Sequence, residues 1–142
     1  MRVVFVDSVY WIAIVRPGDP WRDAAQNARD SLGAVEMVTT DQVLFEFLNA
    51  LSRGGRRLRK RGAEMVRAIL QDRTVSVVPQ TRDLFLRGVE RYEQRLDKEY
   101  SLTDCVSMNV MEARGITDAL TNDHHFAQEG FRVLMRPEDR SS

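Results

Sequence analysis

The sequence predicts an α/β fold with a mostly parallel sheet of about five strands, covered by helices on both faces. Three observations support this prediction. Short β-branched or apolar runs recur along the chain, segments with helical periodicity separate them, and no repeat, linker or low-complexity segment interrupts the alternation. Because 142 residues suit one compact core, we expect a single domain over residues 1–142.

Five segments are predicted to be strands. The first, RVVFV at residues 2–6, is a β-branched run typical of a fully buried strand. The other four strands are predicted at residues 34–40, 74–79, 116–121 and 131–135, and Pro79 ends the strand at 74–79.

The first four predicted helices follow the first two strands. An apolar segment at 8–16 is the first. The second, at 18–33, has Asp19 as N-cap, Pro20 at its first position and Gly33 as its stop. A threonine or aspartate caps the third, at 39–55, which ends at paired glycines, and the fourth covers 59–72.

Two further helices precede the last strands. The helix at 81–96 places apolar residues at amphipathic spacing, namely Leu84, Phe85, Val89, Tyr92 and Leu96. The helix at 101–115 is predicted to begin with a Thr103 cap and to end at Gly115. A loop and a half-helix are expected between the fourth and fifth strands.

The composition excludes several classes of protein. A hydrophobic fraction of 43% is ordinary for a soluble domain, and no apolar run reaches the roughly 20 residues that cross a bilayer. Asp7 interrupts the apolar N-terminal stretch, which also lacks the cleavage site of a signal peptide. One cysteine, Cys105, excludes an intrachain disulfide framework and a cysteine zinc site. We therefore expect a cytoplasmic protein with no membrane partner.

Three aspartates fall where functional groups gather in a parallel sheet, at the carboxyl ends of the strands. Asp7 ends the first strand, Asp123 follows the fourth, and Asp104 stands in the first turn of a helix. These carboxylates could meet at one edge. Each also has a structural explanation, because aspartates commonly cap helices or interact favourably with the helix dipole.

Glu46 lies inside a predicted helix, where capping does not explain it. On a helical wheel, apolar residues cover most of the circumference and leave a narrow polar strip of Gln42, Glu46, Asn49 and Arg53. So narrow a strip indicates that Glu46 lines a cleft. An ordinary exposed glutamate explains this one feature equally well.

Four segments stand in a characteristic order: FVDSVYWIA near the N-terminus, EFLNAL about forty residues later, SLTDCVSM, and LTNDHHF near the C-terminus. Together they resemble the PIN-domain ribonucleases, most closely the VapC-type toxins of toxin–antitoxin pairs, over roughly residues 3–135. The resemblance implies a PIN-like three-layer α/β/α sandwich. It implies an acidic site made of Asp7, Glu46, Asp104 and Asp123, with close support from Ser8, Thr103, Thr121 and Asn122.

A cluster of four carboxylates favours a particular kind of cofactor. The carboxylates repel one another unless cations neutralise them, and an all-oxygen donor set suits Mg²⁺ or Mn²⁺ better than zinc. Such an ion lowers the pKa of a bound water and offsets charge on phosphoryl oxygens. The resemblance then implies hydrolysis of RNA, leaving a 5′-phosphate and a 3′-hydroxyl.

The segment RGGRRLRKR, residues 53–61, carries six cations in a chain with no formal net charge. The six are Arg53, Arg56, Arg57, Arg59, Lys60 and Arg61. We expect them to contact RNA or an acidic segment of a partner, and to begin a second helix after Gly54 and Gly55, beside the acidic cleft. A plain solvated helix face is the commoner explanation of such a run.

Protein partners are implied by the resemblance alone. It implies a cognate antitoxin and a homodimer, for which Trp11, Trp21 and the helix at 84–92 are the available apolar candidates. In TNDHHF, the resemblance gives His125 and Phe126 the role of anchoring the loop, with Phe126 in the core and His124 exposed. A histidine contact with substrate phosphate stays open, and Cys105 is expected in the core.

Three alternatives to a toxin nuclease follow from the same features. A receiver-type phosphoacceptor domain would need paired acids after the first strand and a lysine after a late strand, and FVDSV and FRVLMRP supply neither. A catalytically silent module that binds RNA or protein would not need four intact acids. A stand-alone RNA-processing PIN nuclease is the nearest alternative, since the same acids would serve it.

Overall fold

The computed structural model describes residues 1–137 of the chain. These residues form five strands and seven helices. In chain order they are β1 (Arg2–Val6), α1 (Ser8–Val15), α2 (Arg22–Leu32), β2 (Val35–Thr40), α3 (Asp41–Leu51), α4 (Arg56–Gln71), β3 (Val75–Val78), α5 (Arg82–Glu93), α6 (Leu102–Arg114), β4 (Asp118–Leu120), α7 (His124–Gln128) and β5 (Arg132–Val133).

The five strands form one sheet in the order β3-β2-β1-β4-β5, and every neighbouring pair is parallel. Crossovers between parallel strands are right-handed. The chain moves one way along the sheet from β1 to β3 and the other way from β3 through β4 to β5, so α1–α4 cover one face and α5–α7 the other. The predicted three-layer α/β/α sandwich is confirmed.

The central strand β1 explains the buried β-branched run at the N-terminus. Val4, Phe5 and Val6 have no exposed surface, because helices cover both faces of the sheet. Phe47 from α3 and Phe126 from α7 are equally buried and join the same hydrophobic core. The core position predicted for Phe126 is therefore confirmed.

The arrangement of the strands fixes where a cleft can form. From β1 the chain crosses to β2 on one side, whereas β4 pairs with β1 on the other side. The carboxyl ends of β1 and β4 therefore flank the topological switch point of the sheet, where ligands bind in open α/β folds. The backbone N–H of Asp7 donates to the carbonyl of Leu120 at 3.2 Å and joins these two ends.

The predicted start of α2 is wrong. The helix begins at Arg22, and Trp21 precedes it without a side-chain cap. The Asp19 carboxylate instead accepts a hydrogen bond from the Trp21 backbone and pairs with Arg16 at 2.8 Å. Asp19 therefore stabilises the turn between α1 and α2 rather than the helix itself.

The predicted cap of α6 is also wrong. Ser101 is the N-cap, and it forms a reciprocal capping box with Asp104, in which each side chain accepts a hydrogen bond from the other residue's backbone. Thr103 lies two residues after Ser101, inside the first turn. The sequence does not show which of Ser101 and Thr103 caps the helix, because both are good capping residues.

Helix α5 ends at Glu93, earlier than the apolar spacing predicts, and its apolar residues are less buried than that spacing suggests. Phe85, Tyr92 and Leu96 are exposed. The buried residues of α5 are Gly88 and Arg91. A Cβ at Gly88 would come within 2.7 Å of the Val106 side chain on α6, so the absence of a side chain at Gly88 lets α6 side chains pack directly onto α5.

Two other boundaries depend on neighbouring elements. The edge strand β5 has two residues instead of five, because its partner among the described residues, β4, has three. Helix α3 ends at Leu51, with Ser52 as its C-cap, and so stops before the paired glycines that were predicted to end it. Gly54 and Gly55 instead lie in the break between the two helices: Gly55, at a positive φ of 94°, is the N-cap of α4, which begins at Arg56, three residues earlier than predicted. No helix within residues 1–137 has the length and hydrophobicity to span a membrane.

Candidate active site

Asp7 lies at the junction of β1 and α1, where it caps the helix. One carboxylate oxygen accepts a hydrogen bond from the Ser8 backbone at 2.8 Å, and the other accepts one from the Thr121 hydroxyl at 2.8 Å. Thr121 is fully buried at the end of β4, and Asp7 is 6% exposed. The two central strand ends therefore hold this carboxylate in one orientation.

Glu46 reaches the same place from α3. The hydroxyl of Ser8 donates to one oxygen of its carboxylate. Glu46 is half-buried, as expected for a residue that lines a cleft, but Phe45 beside it is 56% exposed. The helical wheel therefore predicted the half-buried position of Glu46 correctly, but its prediction that nearly the whole circumference of α3 is buried is wrong.

Asp123 follows β4 and caps the short helix α7. Its backbone N–H donates to the Thr121 hydroxyl at 3.1 Å, and its carboxylate accepts from the His125 backbone at 2.9 Å. One hydroxyl, that of Thr121, thus contacts both Asp7 and the loop that carries Asp123. The short loop after β4 therefore joins Asp123 to Asp7 through Thr121.

Asp104 enters from α6, and a histidine connects it with Asp123. The Nδ1 atom of His125 lies 3.2 Å from an oxygen of Asp123 and 3.4 Å from an oxygen of Asp104. Ser8, Thr121 and His125 therefore connect all four acids through hydrogen-bond contacts. The structure brings the four predicted carboxylates together at the switch point.

The local electrostatics reflect crowding of like charges. Burial raises the pKa of Asp7 from 3.8 to about 7; the Thr121 hydrogen bond opposes this rise, and repulsion from Glu46 adds to it. Burial also raises the pKa of Glu46 and of Asp104. Repulsion from Asp123 adds to both of these shifts.

Each of three carboxylates keeps one oxygen without a hydrogen bond to any residue in the described range. The atoms are Asp104 Oδ1, Asp123 Oδ2 and Glu46 Oε2, whereas the second oxygen of each group is held by the protein. Hard divalent cations prefer oxygen ligands of this kind. The donor set therefore fits Mg²⁺ or Mn²⁺.

Asp123, His124 and His125 also present ligand atoms within 4.8 Å of one another. This set contains two nitrogens and overlaps the carboxylate cluster at Asp123. The side chain of His124 is 77% exposed, as predicted, whereas His125 is mostly buried. We treat the two histidines as the margin of the acidic site, because Nδ1 of His125 is already in contact with two carboxylates.

The other predicted site residues differ in their involvement. Thr103 and Asn122 are half-buried, and within residues 1–137 neither side chain makes a hydrogen bond to the four acids. Ser8 and Thr121 do make such bonds. The bridging contact of His125 was not predicted, and the adjacency of His125 to Asp123 in the sequence was the available signal.

The six cations of the segment 53–61 are all exposed. Arg59 donates to the Ser52 carbonyl at 3.1 Å, and none of the six forms an ion pair within the part of the chain that the structure describes. These charges are therefore free to meet a ligand.

The comparison with protein families agrees with this geometry. The family model of the PIN domain matches residues 4–131. The chain belongs to the PIN-domain family. This PIN domain is 34% identical over 136 residues to the 23S rRNA-specific endonuclease VapC20 of Mycobacterium tuberculosis, in strains CDC 1551 / Oshkosh and ATCC 25618 / H37Rv alike, covering 96% of this chain and 100% of VapC20.

The fold of this PIN domain is also similar to a solved structure. The crystal structure of Mycobacterium tuberculosis VapC20, described as a sarcin-ricin loop cleaving toxin, superimposes with a TM-score of 0.82 and 30% sequence identity. The match covers 94% of this chain and 99% of VapC20. The resemblance to VapC-type PIN domains noted in the sequence is therefore confirmed.

Proposed function

We propose that this protein is a metal-dependent ribonuclease that hydrolyses RNA phosphodiester bonds, and that it is the toxin of a type II toxin–antitoxin pair. The observation that carries the proposal is the meeting of four carboxylates at the switch point of a PIN domain. The naming of a full-length relative as an endonuclease supports it. We assign the whole chain, residues 1–142, to this one domain.

We assign the metal site to Asp7, Glu46, Asp104 and Asp123, which would hold Mg²⁺ or Mn²⁺. When bound, the ion supplies a water of lowered pKa and offsets negative charge on the phosphoryl oxygens. The protein orients the four carboxylates through Ser8, Thr121 and His125. Four ionised carboxylates alone would repel a phosphodiester, so cleavage requires their neutralisation.

Ribosomal RNA is the proposed substrate, because the VapC20 relatives are named for 23S rRNA and for the sarcin-ricin loop. Purified protein should cleave a sarcin-ricin hairpin in Mg²⁺ or Mn²⁺, lose this activity in EDTA, and leave a transfer RNA intact. Cleavage of transfer RNA instead would reassign the substrate. Failure to cleave either RNA in either metal would favour a catalytically silent binding module.

An antitoxin partner distinguishes a toxin from a stand-alone processing enzyme. Expression of the toxin in a bacterial host should arrest growth, and co-expression of a small protein encoded beside its gene should relieve the arrest. Arrest should be absent for Asp104→Asn. Growth unaffected by the active protein would support the processing enzyme, and either activity would act on RNA in the cytoplasm.

The cationic segment is proposed to hold RNA. Glu46 lies five residues before the end of α3 at Leu51, roughly 8 Å along the helix axis, and Arg53, the first of the cations, follows two residues after that end. Their free charges can contact the phosphates on either side of the scissile bond. An acidic antitoxin segment could occupy the same surface.

Replacing Arg56, Arg57, Arg59 and Lys60 with alanine is expected to weaken RNA binding and to flatten its salt dependence. The variant makes fewer phosphate contacts, so its binding releases fewer counterions from the RNA. Affinity by fluorescence anisotropy at several salt concentrations measures both effects, and Mn²⁺ binding should stay unchanged. The matched control removes four exposed cations elsewhere: Arg73, Arg82, Arg87 and Lys98. If both quadruple variants bind RNA equally, the segment is a plain solvated face.

A homodimer is the proposed assembly, and the structure narrows its candidate contacts. Trp11 is 4% exposed and Trp21 is half-buried against the core, so neither is a fully exposed aromatic side chain. On α5, however, Leu86 and Tyr92 are each 51% exposed. Exposed apolar side chains mark an interaction surface when they form a contiguous patch, and α5 carries the candidates for such a patch.

Leu86→Glu combined with Tyr92→Glu is expected to convert the dimer to monomer, because each change places a charge in an apolar contact. Light scattering at micromolar concentrations measures the mass. A double change at exposed polar positions of the same helix, Glu90→Gln and Glu93→Gln, should remain dimeric. A parent protein that is monomeric throughout would contradict the proposed dimer.

A further inference from the structure

His125 occupies a position in the acidic site that loop anchoring alone does not explain. Its Nδ1 atom contacts an oxygen of Asp123 at 3.2 Å and an oxygen of Asp104 at 3.4 Å. Carboxylate oxygens accept hydrogen bonds, so this position suits the tautomer that carries a hydrogen on Nδ1. The ring therefore donates towards two carboxylates that come from different elements, α6 and the start of α7.

A packed tyrosine and its hydrogen-bond network fix the orientation of the His125 ring. The ring of Tyr100 packs against it, with centroids 5.2 Å apart, and the Tyr100 hydroxyl donates to Glu129 at 3.1 Å. Glu129 accepts further hydrogen bonds from Arg91 and Arg95, at 2.8 and 3.0 Å. A buried network joining α5 with the segments that flank α6 and α7 thus limits rotation of the imidazole.

The contacts leave Asp104 Oδ1 and Asp123 Oδ2 unbonded by the described residues, while His125 takes one oxygen of each group. A hydrogen-bond donor shared by two carboxylates reduces their repulsion and sets the distance between their free oxygens. Groups that orient metal ligands in this way commonly change metal affinity about 10- to 100-fold when removed.

We propose that His125 is a positioning residue of the metal site, which holds the Asp104 and Asp123 carboxylates in register for a divalent cation without ligating it. This inference rests on the proposed metal-dependent function. It assigns the second histidine of the TNDHHF motif a task in metal binding beyond anchoring a loop. The exposed neighbour His124 has no such task, although its Nδ1 lies 3.9 Å from Asp123.

Titration with Mn²⁺, followed by electron paramagnetic resonance of the free ion, tests the proposal. His125→Ala should weaken Mn²⁺ binding about 10- to 100-fold. His125→Asn should recover most of the affinity, because its amide nitrogen can donate from nearly the position of Nδ1. His124→Ala is the matched control and should bind as the parent does, and thermal melts should show that all variants are folded.

Two results separate positioning from other roles. Saturating Mn²⁺ should restore RNA cleavage to His125→Ala but not to Asp104→Asn, and the electron spin echo spectrum of the Mn²⁺-loaded parent should show no directly bound nitrogen. A strong nitrogen coupling that disappears in His125→Ala would make His125 a ligand and overturn the proposal. Equal Mn²⁺ affinity of the parent and His125→Ala would overturn the positioning role of His125 but not the metal site. A parent protein that binds no Mn²⁺ would overturn both.

Discussion

Asp7→Asn is expected to reduce RNA cleavage about a thousandfold, because a metal site of this kind supplies several kcal/mol of transition-state stabilisation and each 1.4 kcal/mol is a factor of ten. Asp7 is held by both Ser8 and Thr121, so an amide in its place keeps the shape but loses the negative charge. Initial rates on the sarcin-ricin hairpin, in saturating Mg²⁺ and Mn²⁺, measure the effect. Asp104→Asn should show a similar loss.

The same change is expected to stabilise the protein in EDTA. Asp7 is buried and repelled by Glu46 and Asp104, so replacing its carboxylate with an amide removes an unfavourable interaction from the folded state. Urea unfolding at pH 8, followed by tryptophan fluorescence, should show a higher midpoint for Asp7→Asn than for the parent. Asp97→Asn, an exposed carboxylate, is the control for both measurements and should leave rate and midpoint unchanged. Full cleavage activity in Asp7→Asn would contradict the assignment of the site.

The free energy of unfolding in EDTA is expected to fall by roughly 3 kcal/mol as the pH rises from 5 to 8. The Asp7 carboxyl has a pKa of about 7 in the folded protein, so about two pH units of this interval lie below it, and each unit is worth about 1.36 kcal/mol. The folded protein holds a proton on Asp7 that the unfolded chain, with an ordinary pKa of 3.8, has already released at pH 5. Raising the pH therefore favours the unfolded state until it passes the folded pKa. Raised pKa values of Glu46 and Asp104 act in the same direction.

Denaturation curves at intervals of half a pH unit measure this slope. Glu112 and Glu129 have lowered pKa values and so lose their stabilising effect only in more acidic solution, below the chosen range. The slope should be much smaller in Asp7→Asn, and saturating Mg²⁺ or Mn²⁺ should reduce it in the parent, since a bound cation favours the ionised carboxylates. A parent protein whose stability is flat from pH 5 to pH 8 would show that Asp7 ionises normally.

Local patterns were sufficient for most of the fold. The alternation of apolar strands with helical segments predicted all five strands, and the paired glycines placed the break between α3 and α4 correctly. Errors occurred where two residues could perform the same local task, as at Ser101 and Thr103. They also occurred where the length of an element depends on its partner, as in β5.

The candidate site shows a similar division. The order and local context of the four motifs predicted Asp7, Glu46, Asp104 and Asp123 through the resemblance to PIN domains, since each acid taken singly also has a structural explanation. The sequence did not show that Thr121 would join Asp7 to the Asp123 loop. This contact spans 114 positions along the chain and exists only because β4 pairs with β1.

The sequence by itself determined the fold class, because short-range periodicity marks strands and helices, and it determined the family through four motifs whose resemblance to PIN domains also predicted the acidic residues. The tertiary structure decided how the carboxylates are held, which apolar residues remain exposed, and the place of His125 between Asp104 and Asp123. These features depend on where a side chain from one element meets another, and close packing and hydrogen bonding settle such encounters only when the sheet and both helical layers have assembled.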